Sequence, residues 1–219
     1  MKTKGMEAIR PDLQFEVALW EQGLQQVAGM DEAGRGALAG PVAVGVVCLP
    51  PDPRLADHLH GVRDSKQLTP QERSYWAGLI KTHALTWAVG FASNEEIDQI
   101  GIGSAVQLAA LRALKHLSCE PQHLLIDYFR LPQCHLPQTA LIKGDQRCLS
   151  IAAASILAKT ERDRWMAEID ALYPQYKFAA HKGYATAIHL ECIRRWGACP
   201  IHRRSFAPLC NLTPPAERQ

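Results

Sequence analysis

The sequence predicts an α/β protein built on a mixed sheet, with a helical C-terminal extension. Two apolar runs rich in β-branched residues come first, at 27–30 and 41–49. Helical and strand patterns then alternate along the chain, and the last helical pattern is not followed by another strand. This order is typical of one sheet that is covered by helices.

Each element is predicted from its local pattern. Apolar residues around Phe15, Trp20 and Leu24 have helical spacing, which predicts a short helix in a lead-in segment, 1–26. Thr69 and Pro70 predict the capped start of a helix over 71–82. The remaining predicted elements are the strand 85–93, which runs into an acidic patch at 94–96, the helix 102–117, the strands 123–127 and 139–143, and the helices 150–166 and 185–196.

Composition predicts one globular domain. The chain has 219 residues, of which 47% are hydrophobic and 21% are charged, so a disordered chain is excluded. The net charge of +2 gives no strong indication of a polyanionic partner, although 159–219 holds 10 Lys and Arg against 6 Asp and Glu. We predict a main domain over 27–207 and a frayed tail over 208–219.

The cellular compartment is predicted from the cysteines and from the absence of targeting patterns in the sequence. The 7 cysteines form no Cys-x-x-Cys pair and follow no secretory signal, which favours reduced thiols. The apolar stretches are too short to cross a bilayer. We therefore expect a cytoplasmic protein that does not associate with membranes.

Four acidic residues fall at the predicted ends of strands. They are Asp31, Glu32, Asp127 and Asp145. One acid at a strand end is typical of a solvated turn, but several on neighbouring strands suit Mg²⁺, which prefers oxygen ligands and shares them with substrate phosphate. In two-metal phosphodiester hydrolysis, one ion activates the attacking water and the other stabilises the leaving oxygen. The pattern predicts a metal-dependent nuclease.

The run Asp-Glu-Ala-Gly-Arg-Gly-Ala-Leu-Ala-Gly-Pro at 31–41 resembles the opening motif of the type-two ribonucleases H. Ala37 stands where that family usually has proline, and Tyr128 and Phe129 follow Asp127 where a Gly-Asn pair is common. The further motifs, which extend the resemblance over 27–207, are Asp-Ser-Lys-Gln-Leu at 64–68, Leu-Ile-Asp at 125–127, Lys-Gly-Asp at 143–145, Ala-Ala-Ser-Ile-Leu-Ala-Lys at 153–159 with Arg162 and Asp163, His-Lys-Gly-Tyr at 181–184, and His-Arg-Arg-Ser-Phe at 202–206.

The resemblance implies a ribonuclease H-like fold, with a mixed five-stranded sheet flanked by helices. It implies an endoribonuclease that cuts the RNA strand of RNA/DNA hybrids and incises 5′ to ribonucleotides embedded in duplex DNA, with Mg²⁺ or Mn²⁺ as cofactor. A monomer is expected. The metal ligands that the resemblance implies are the same four carboxylates, Asp31, Glu32, Asp127 and Asp145.

Substrate contacts are expected at two places in the chain. The resemblance implies that Gly34, Arg35, Gly36 and Tyr184 contact the ribonucleotide, whose 2′-hydroxyl distinguishes RNA from DNA. Phosphate contacts are expected from Lys66, Arg35 and Lys182, which would position the backbone without reading bases. Ser65 and Ser155 either donate to phosphates or serve close packing. The run 202–204 is equally consistent with solvated charges, and we leave it out of the site.

Three other functions are considered. The glycines of 34–39 fit a dinucleotide fingerprint, but that motif must open a helix, whereas here Gly40, Pro41 and a strand follow. A non-catalytic nucleic-acid-binding module would suit the basic C-terminal end but would gain nothing from acids beside phosphate. The third is a zinc site formed by His189, Cys192, Cys199 and His202, whose spacing fits no familiar closed site.

Overall fold

The computed structural model describes residues 10–211, and its centre is one five-stranded sheet. Strand β4 pairs in parallel with both β1 and β5; Met30 lies opposite Ile126, and Asp127 lies opposite Leu141. The predicted α/β class with a mixed five-stranded sheet is confirmed. The strands, in the spatial order β3-β2-β1-β4-β5, are β1 Val27–Ala33, β2 Val42–Cys48, β3 Thr86–Ala92, β4 His123–Asp127 and β5 Gln138–Leu141.

Helices fill the connections and the C-terminal part of the described chain. Two of them begin at complete capping boxes, in which Thr69 and Ser93 accept from main-chain N–H groups while a glutamate reaches back. The α-helices are α1 Gln14–Trp20, α2 Leu55–His58, α3 Pro70–His83, α4 Asn94–Lys115, α5 Leu149–Asp170, α6 Phe178–His181 and α7 Ala187–Trp196. None of the helices within residues 10–211 combines the length and the apolar character that crossing a bilayer requires.

Three predicted boundaries differ from the structure. The helical region begins at residue 94 rather than at 102, because the capping box at Ser93 makes the acidic patch at 94–96 the first turn of α4. The backbone is non-helical at Gly101, where φ is 77°, so α4 consists of two helical segments and the second begins at the predicted residue, 102. Strand β5 ends at Leu141 rather than at residue 143, because Lys143 adopts a left-handed conformation with φ of 53°. Strand β1 continues to Ala33, so the first two acids belong to the strand itself.

Close contacts divide the described chain into two compact units. The first consists of residues up to 31, together with 46–87 and 117–156. Gly29 lies against the first turn of α5, where a Cβ would come within 2.2 Å of the Ser150 carbonyl carbon. The lead-in segment is joined to the same turn, since the buried Glu16 carboxylate accepts from the Ser150 N–H at 2.8 Å. Its helix is thus part of this unit's packing.

The second unit consists of 32–45, 88–116 and the chain from 157 onward. Its core contains two groups of apolar residues, one centred on Phe178 and Met166 and the other on Leu38 and Ile193. Leu209 packs in the latter group from a short 3-10 helix, Leu209–Asn211. The remainder of the predicted tail, 212–219, lies outside the described residues, as do residues 1–9 of the lead-in.

Candidate active site

Two of the predicted acids lie at the same end of neighbouring parallel strands. Asp31 follows Met30 on β1, and Asp127 follows Ile126 on β4; Met30 and Ile126 lie opposite each other. The carboxyl ends of parallel strands meet at one edge of a sheet, where ligands of α/β proteins usually bind. Only 6% of the Asp31 surface is exposed, and Asp127 is half-buried. The sheet therefore holds these acids on rigid backbone, partly away from water.

Asp145 belongs to the same cluster of acids. The Gly144 N–H donates to Asp127 Oδ1 at 2.7 Å, which fixes the turn that carries Asp145. Burial raises the pKa of Asp127, and it also raises the pKa of Asp145, to which the negative charge of Asp127 adds. Lys66 opposes both shifts, whereas Asp64 reinforces them. Several carboxylates are therefore crowded together at a partly buried position, where water stabilises their negative charges poorly.

The cluster suits a hard divalent cation. Its donors are carboxylate oxygens, and a cation there would relieve both the burial of charge and the repulsion between Asp127 and Asp145. Across residues 10–211, no group of three or more His, Cys, Asp or Glu side chains is placed so that it could hold a metal ion by itself. A Mg²⁺ site needs only one or two carboxylates, since water and substrate phosphate complete its octahedron. The residues present fit such an ion.

The loop after β1 is shaped by two different glycines. Gly34 is buried with φ of +86°, and a Cβ on it would lie 1.9 Å from Arg162 Nε. Gly36 is exposed, and a Cβ there would meet nothing within 4 Å. Between them, Arg35 extends to Glu32, with Nη1 3.3 Å from Oε1. Of these two glycines, Gly34 is required by the packing of the loop, whereas the open space at Gly36 leaves its backbone accessible.

Tyr184 and Lys182 lie on the turn between α6 and α7. The half-buried Tyr184 ring faces two cations, with Lys159 Nζ 5.3 Å and the Arg162 guanidinium carbon 5.4 Å from its centroid. Lys182 adopts a left-handed conformation with φ of 54°, and its Nζ donates to the Ala179 carbonyl at 2.6 Å. The glycine loop, Lys182 and Tyr184 all belong to the second compact unit, whereas Lys66 belongs to the first.

Comparison with known proteins identifies the family. A sequence profile described as Ribonuclease HII matches residues 28–209, most of the chain. The chain belongs to the ribonuclease HII family. Among its relatives, Ribonuclease HII of Dehalococcoides mccartyi is 51% identical over 205 residues, which cover 94% of this chain and 97% of the relative. Ribonuclease HII of Myxococcus xanthus is 53% identical over 204 residues, covering 93% and 68%.

Solved structures agree with this assignment. The ribonuclease H2 of Pyrococcus horikoshii OT3 superposes with a TM-score of 0.71 at 27% identity, covering 85% of this chain and 96% of the other. The ribonuclease HII of Archaeoglobus fulgidus, solved in complex with PCNA, gives 0.70 at 26% identity, covering 83% and 95%. The ribonuclease HII family consists of metal-dependent endoribonucleases, and this chain is an enzyme of that class. A dinucleotide-dependent oxidoreductase and a non-catalytic binding module are thereby set aside.

Two buried arginines support the ribonuclease HII glycine loop. Arg162 donates from Nε to the Pro41 carbonyl at 2.8 Å and from Nη1 to the Lys182 carbonyl at 3.0 Å. Arg203 donates from Nη1 to the Arg35 carbonyl at 2.9 Å and from Nε to the Gly40 carbonyl at 3.0 Å. Both side chains are fully buried. They bind the loop and the Lys182 turn through forked hydrogen bonds that a lysine could not reproduce.

Of the two readings left open for 202–204, a solvated charge run is excluded for the first two residues, since His202 and Arg203 are buried and only Arg204 is exposed. A charged residue is buried only where it has partners, and the partners of Arg203 are loop carbonyls far away in sequence. The signal in the sequence was the resemblance of 202–206 to a family motif, because solvated surface charges do not require a fixed motif.

The histidines beside Tyr184 form a chain of hydrogen bonds. The Cys199 N–H donates to His202 Nδ1 at 3.0 Å, and His202 Nε2 lies 3.0 Å from His189 Nε2. His189 Nδ1 in turn lies 2.9 Å from the Tyr184 carbonyl, so it carries the proton. Burial lowers the pKa of both histidines to about 4. These hydrogen bonds use every ring nitrogen of His189 and His202, so neither histidine has a nitrogen left for a zinc ion. The hydrogen-bonded histidines instead position the Tyr184 backbone.

Proposed function

We propose that this chain hydrolyses the RNA strand of RNA/DNA hybrids and incises 5′ to ribonucleotides embedded in duplex DNA, by a two-metal-ion mechanism. The observation that carries the proposal is the pair formed by Asp127, at the end of β4, and Asp145, in the turn that follows β5, in a member of the ribonuclease HII family. The Gly144 N–H joins the two, burial disfavours both charges, and the charge of Asp127 further raises the pKa of Asp145. We expect it to act in the cytoplasm as a monomer.

The proposed metal ligands are Asp31, Glu32, Asp127 and Asp145, with Mg²⁺ or Mn²⁺ as the bound ion. When bound, such ions activate water and stabilise the oxygen that leaves. The chain itself contributes rigid placement, because the β1 and β4 backbones and the Gly144 N–H determine where the carboxylates lie. Lys66, whose positive charge opposes the rise in the pKa of both Asp127 and Asp145, is proposed to contact the substrate phosphate.

Ribose recognition is assigned to Gly34, Arg35, Gly36 and Tyr184, and a further phosphate contact to Lys182. The Arg35 carbonyl already accepts from Arg203, so we propose that main-chain N–H groups of the loop donate to the 2′-hydroxyl. Gly36 has the open space that such an approach requires. Tyr184 is proposed to stack on the neighbouring sugar, with its backbone positioned by His189.

The testing experiment is cleavage of a DNA duplex that contains one ribonucleotide. Wild-type protein is expected to cut once, 5′ to the ribonucleotide, leaving a 3′-hydroxyl and a 5′-phosphate, and EDTA is expected to stop the reaction until Mg²⁺ or Mn²⁺ is added back. Asp31→Asn is expected to be inactive under the same conditions, since an amide is a weaker ligand for a hard cation. Cleavage in EDTA, or full activity of Asp31→Asn, would contradict the mechanism.

Tyr184→Ala tests the ribose contact. We expect kcat/KM on the single-ribonucleotide duplex to fall about 100-fold, because a misplaced sugar no longer presents its phosphate correctly. Duplex affinity, measured by fluorescence anisotropy, is expected to change by less than about threefold, because phosphate contacts supply most of it. Tyr184→Phe, which keeps the ring, is the matched control and should retain most of the activity. Equal losses of activity and affinity would make Tyr184 a simple binding residue.

A further inference from the structure

Two large apolar side chains are exposed beside the acids of the first unit. Tyr128 is 73% exposed and Ile142 is 70% exposed. They directly follow Asp127 and Leu141, which lie opposite each other on β4 and β5, and the Tyr128 N–H donates to the Leu141 carbonyl at 2.9 Å. The two residues therefore occupy corresponding positions, each directly after one of two neighbouring strands. One of them is adjacent in sequence to a proposed metal ligand.

The backbone at Tyr128 is unfavourable for a tyrosine. Its φ is 64°, in the left-handed region where a Cβ crowds the following carbonyl and where glycine is preferred. Core packing does not explain the tyrosine, because most of its side chain is exposed to solvent. A strained, exposed aromatic residue next to a reacting centre points to contact with a ligand.

The ligand at this edge of the sheet must bring a phosphate to Asp127. The nucleotides on either side of that phosphate then lie within reach of the residues that flank Asp127 in the sheet. In an A-form-like duplex, the minor groove is wide and shallow and exposes the sugars. The C–H groups of those sugars form an apolar surface. An aromatic or an aliphatic side chain packs more favourably on that surface than on a charged phosphate.

We propose that Tyr128 and Ile142 form an apolar ledge that packs on the sugars lining the minor groove of the RNA/DNA hybrid. Tyr128 is then a substrate-contact residue, and this inference rests on the proposed function. The acids hold the reacting phosphate, while the ledge holds the sugars beside it. A protein partner on the ledge is the competing occupant, and it predicts no change in the kinetics on naked hybrid.

The test compares Tyr128→Gly with wild type on an RNA/DNA hybrid in Mg²⁺. Glycine removes the ring and relieves the backbone, so the melting temperature is expected to stay the same or rise by about 1 to 3 °C. KM is expected to rise about 5- to 30-fold, the lower part of the range found when an aromatic contact with a nucleotide base is lost, while kcat stays within about twofold. An unchanged or higher melting temperature together with a higher KM would show that Tyr128 contacts the substrate and does not merely support the fold.

Two further variants complete the test. Tyr128→Phe keeps the ring and should retain the wild-type KM. Tyr75→Ala removes another exposed tyrosine, on α3 and 62% exposed, and should leave KM unchanged. An unchanged KM in Tyr128→Gly, or an equal loss in Tyr128→Phe, would overturn the ledge. If wild type itself does not cut the hybrid, the proposed function fails instead, so the two failures are distinguishable.

Discussion

Replacing Asp127 with asparagine is expected to lower kcat on an RNA/DNA hybrid by about three orders of magnitude while the protein remains folded. The amide oxygen still accepts from the Gly144 N–H, which lies 2.7 Å from Asp127 Oδ1, so the turn that carries Asp145 keeps its position. What is lost is one negative charge from the set proposed to hold the metal ions. Gel-based cleavage at saturating Mg²⁺, with circular dichroism to confirm the fold, measures both effects.

Asp52→Asn is the matched control for Asp127→Asn. Asp52 is another aspartate of the same unit, but it pairs with Arg54 at 2.8 Å and is not among the proposed ligands. Its substitution is expected to leave kcat within about twofold, since a surface ion pair contributes little to stability. An Asp127→Asn protein that is folded and retains more than about a tenth of wild-type kcat would remove Asp127 from the metal site.

A second large effect is expected for Gly34→Ala, which should lower the free energy of unfolding by about 2 to 4 kcal/mol. Alanine disfavours the φ of +86°, and its Cβ would lie 1.9 Å from Arg162 Nε. Arg162 cannot move aside without cost, because its guanidinium is buried and donates to main-chain carbonyls of Pro41, Ala39 and Lys182. Urea denaturation measures the loss, and we expect cleavage to fall with it because the whole loop must shift.

Gly36→Ala separates structure from recognition in the same loop. A Cβ at this position meets nothing within 4 Å, so the free energy of unfolding is expected to stay within about 0.5 kcal/mol of wild type. Cleavage at a single ribonucleotide should nevertheless decrease, because the methyl group lies where the sugar is proposed to approach. Equal losses of stability in Gly34→Ala and Gly36→Ala would show that both glycines are required by the packing of the loop.

Much of the candidate site was predictable because its signals are local. Asp127 ends a short apolar strand, and Asp145 follows another, so their placement at a sheet edge could be inferred from the strand patterns alone. The capped start of α3 at Thr69 was predictable for the same reason, since a capping box is contained in four residues. Strand ends were less certain, as at β5, where the left-handed Lys143 stops the strand early.

The sequence by itself determined the α/β class, the ribonuclease HII family, and the acids, glycines and tyrosine proposed for chemistry and recognition. Only the tertiary structure decided that Arg203 is buried and binds the glycine loop, that Gly34 packs against Arg162 whereas Gly36 has open space around it, and that Tyr128 is exposed in a left-handed conformation. The physical reason is the distance along the sequence over which each signal acts. Hydrophobic period, caps and motifs act over a few neighbouring residues, whereas burial of a charge depends on partners such as Arg203 and the Arg35 carbonyl, which only folding brings together.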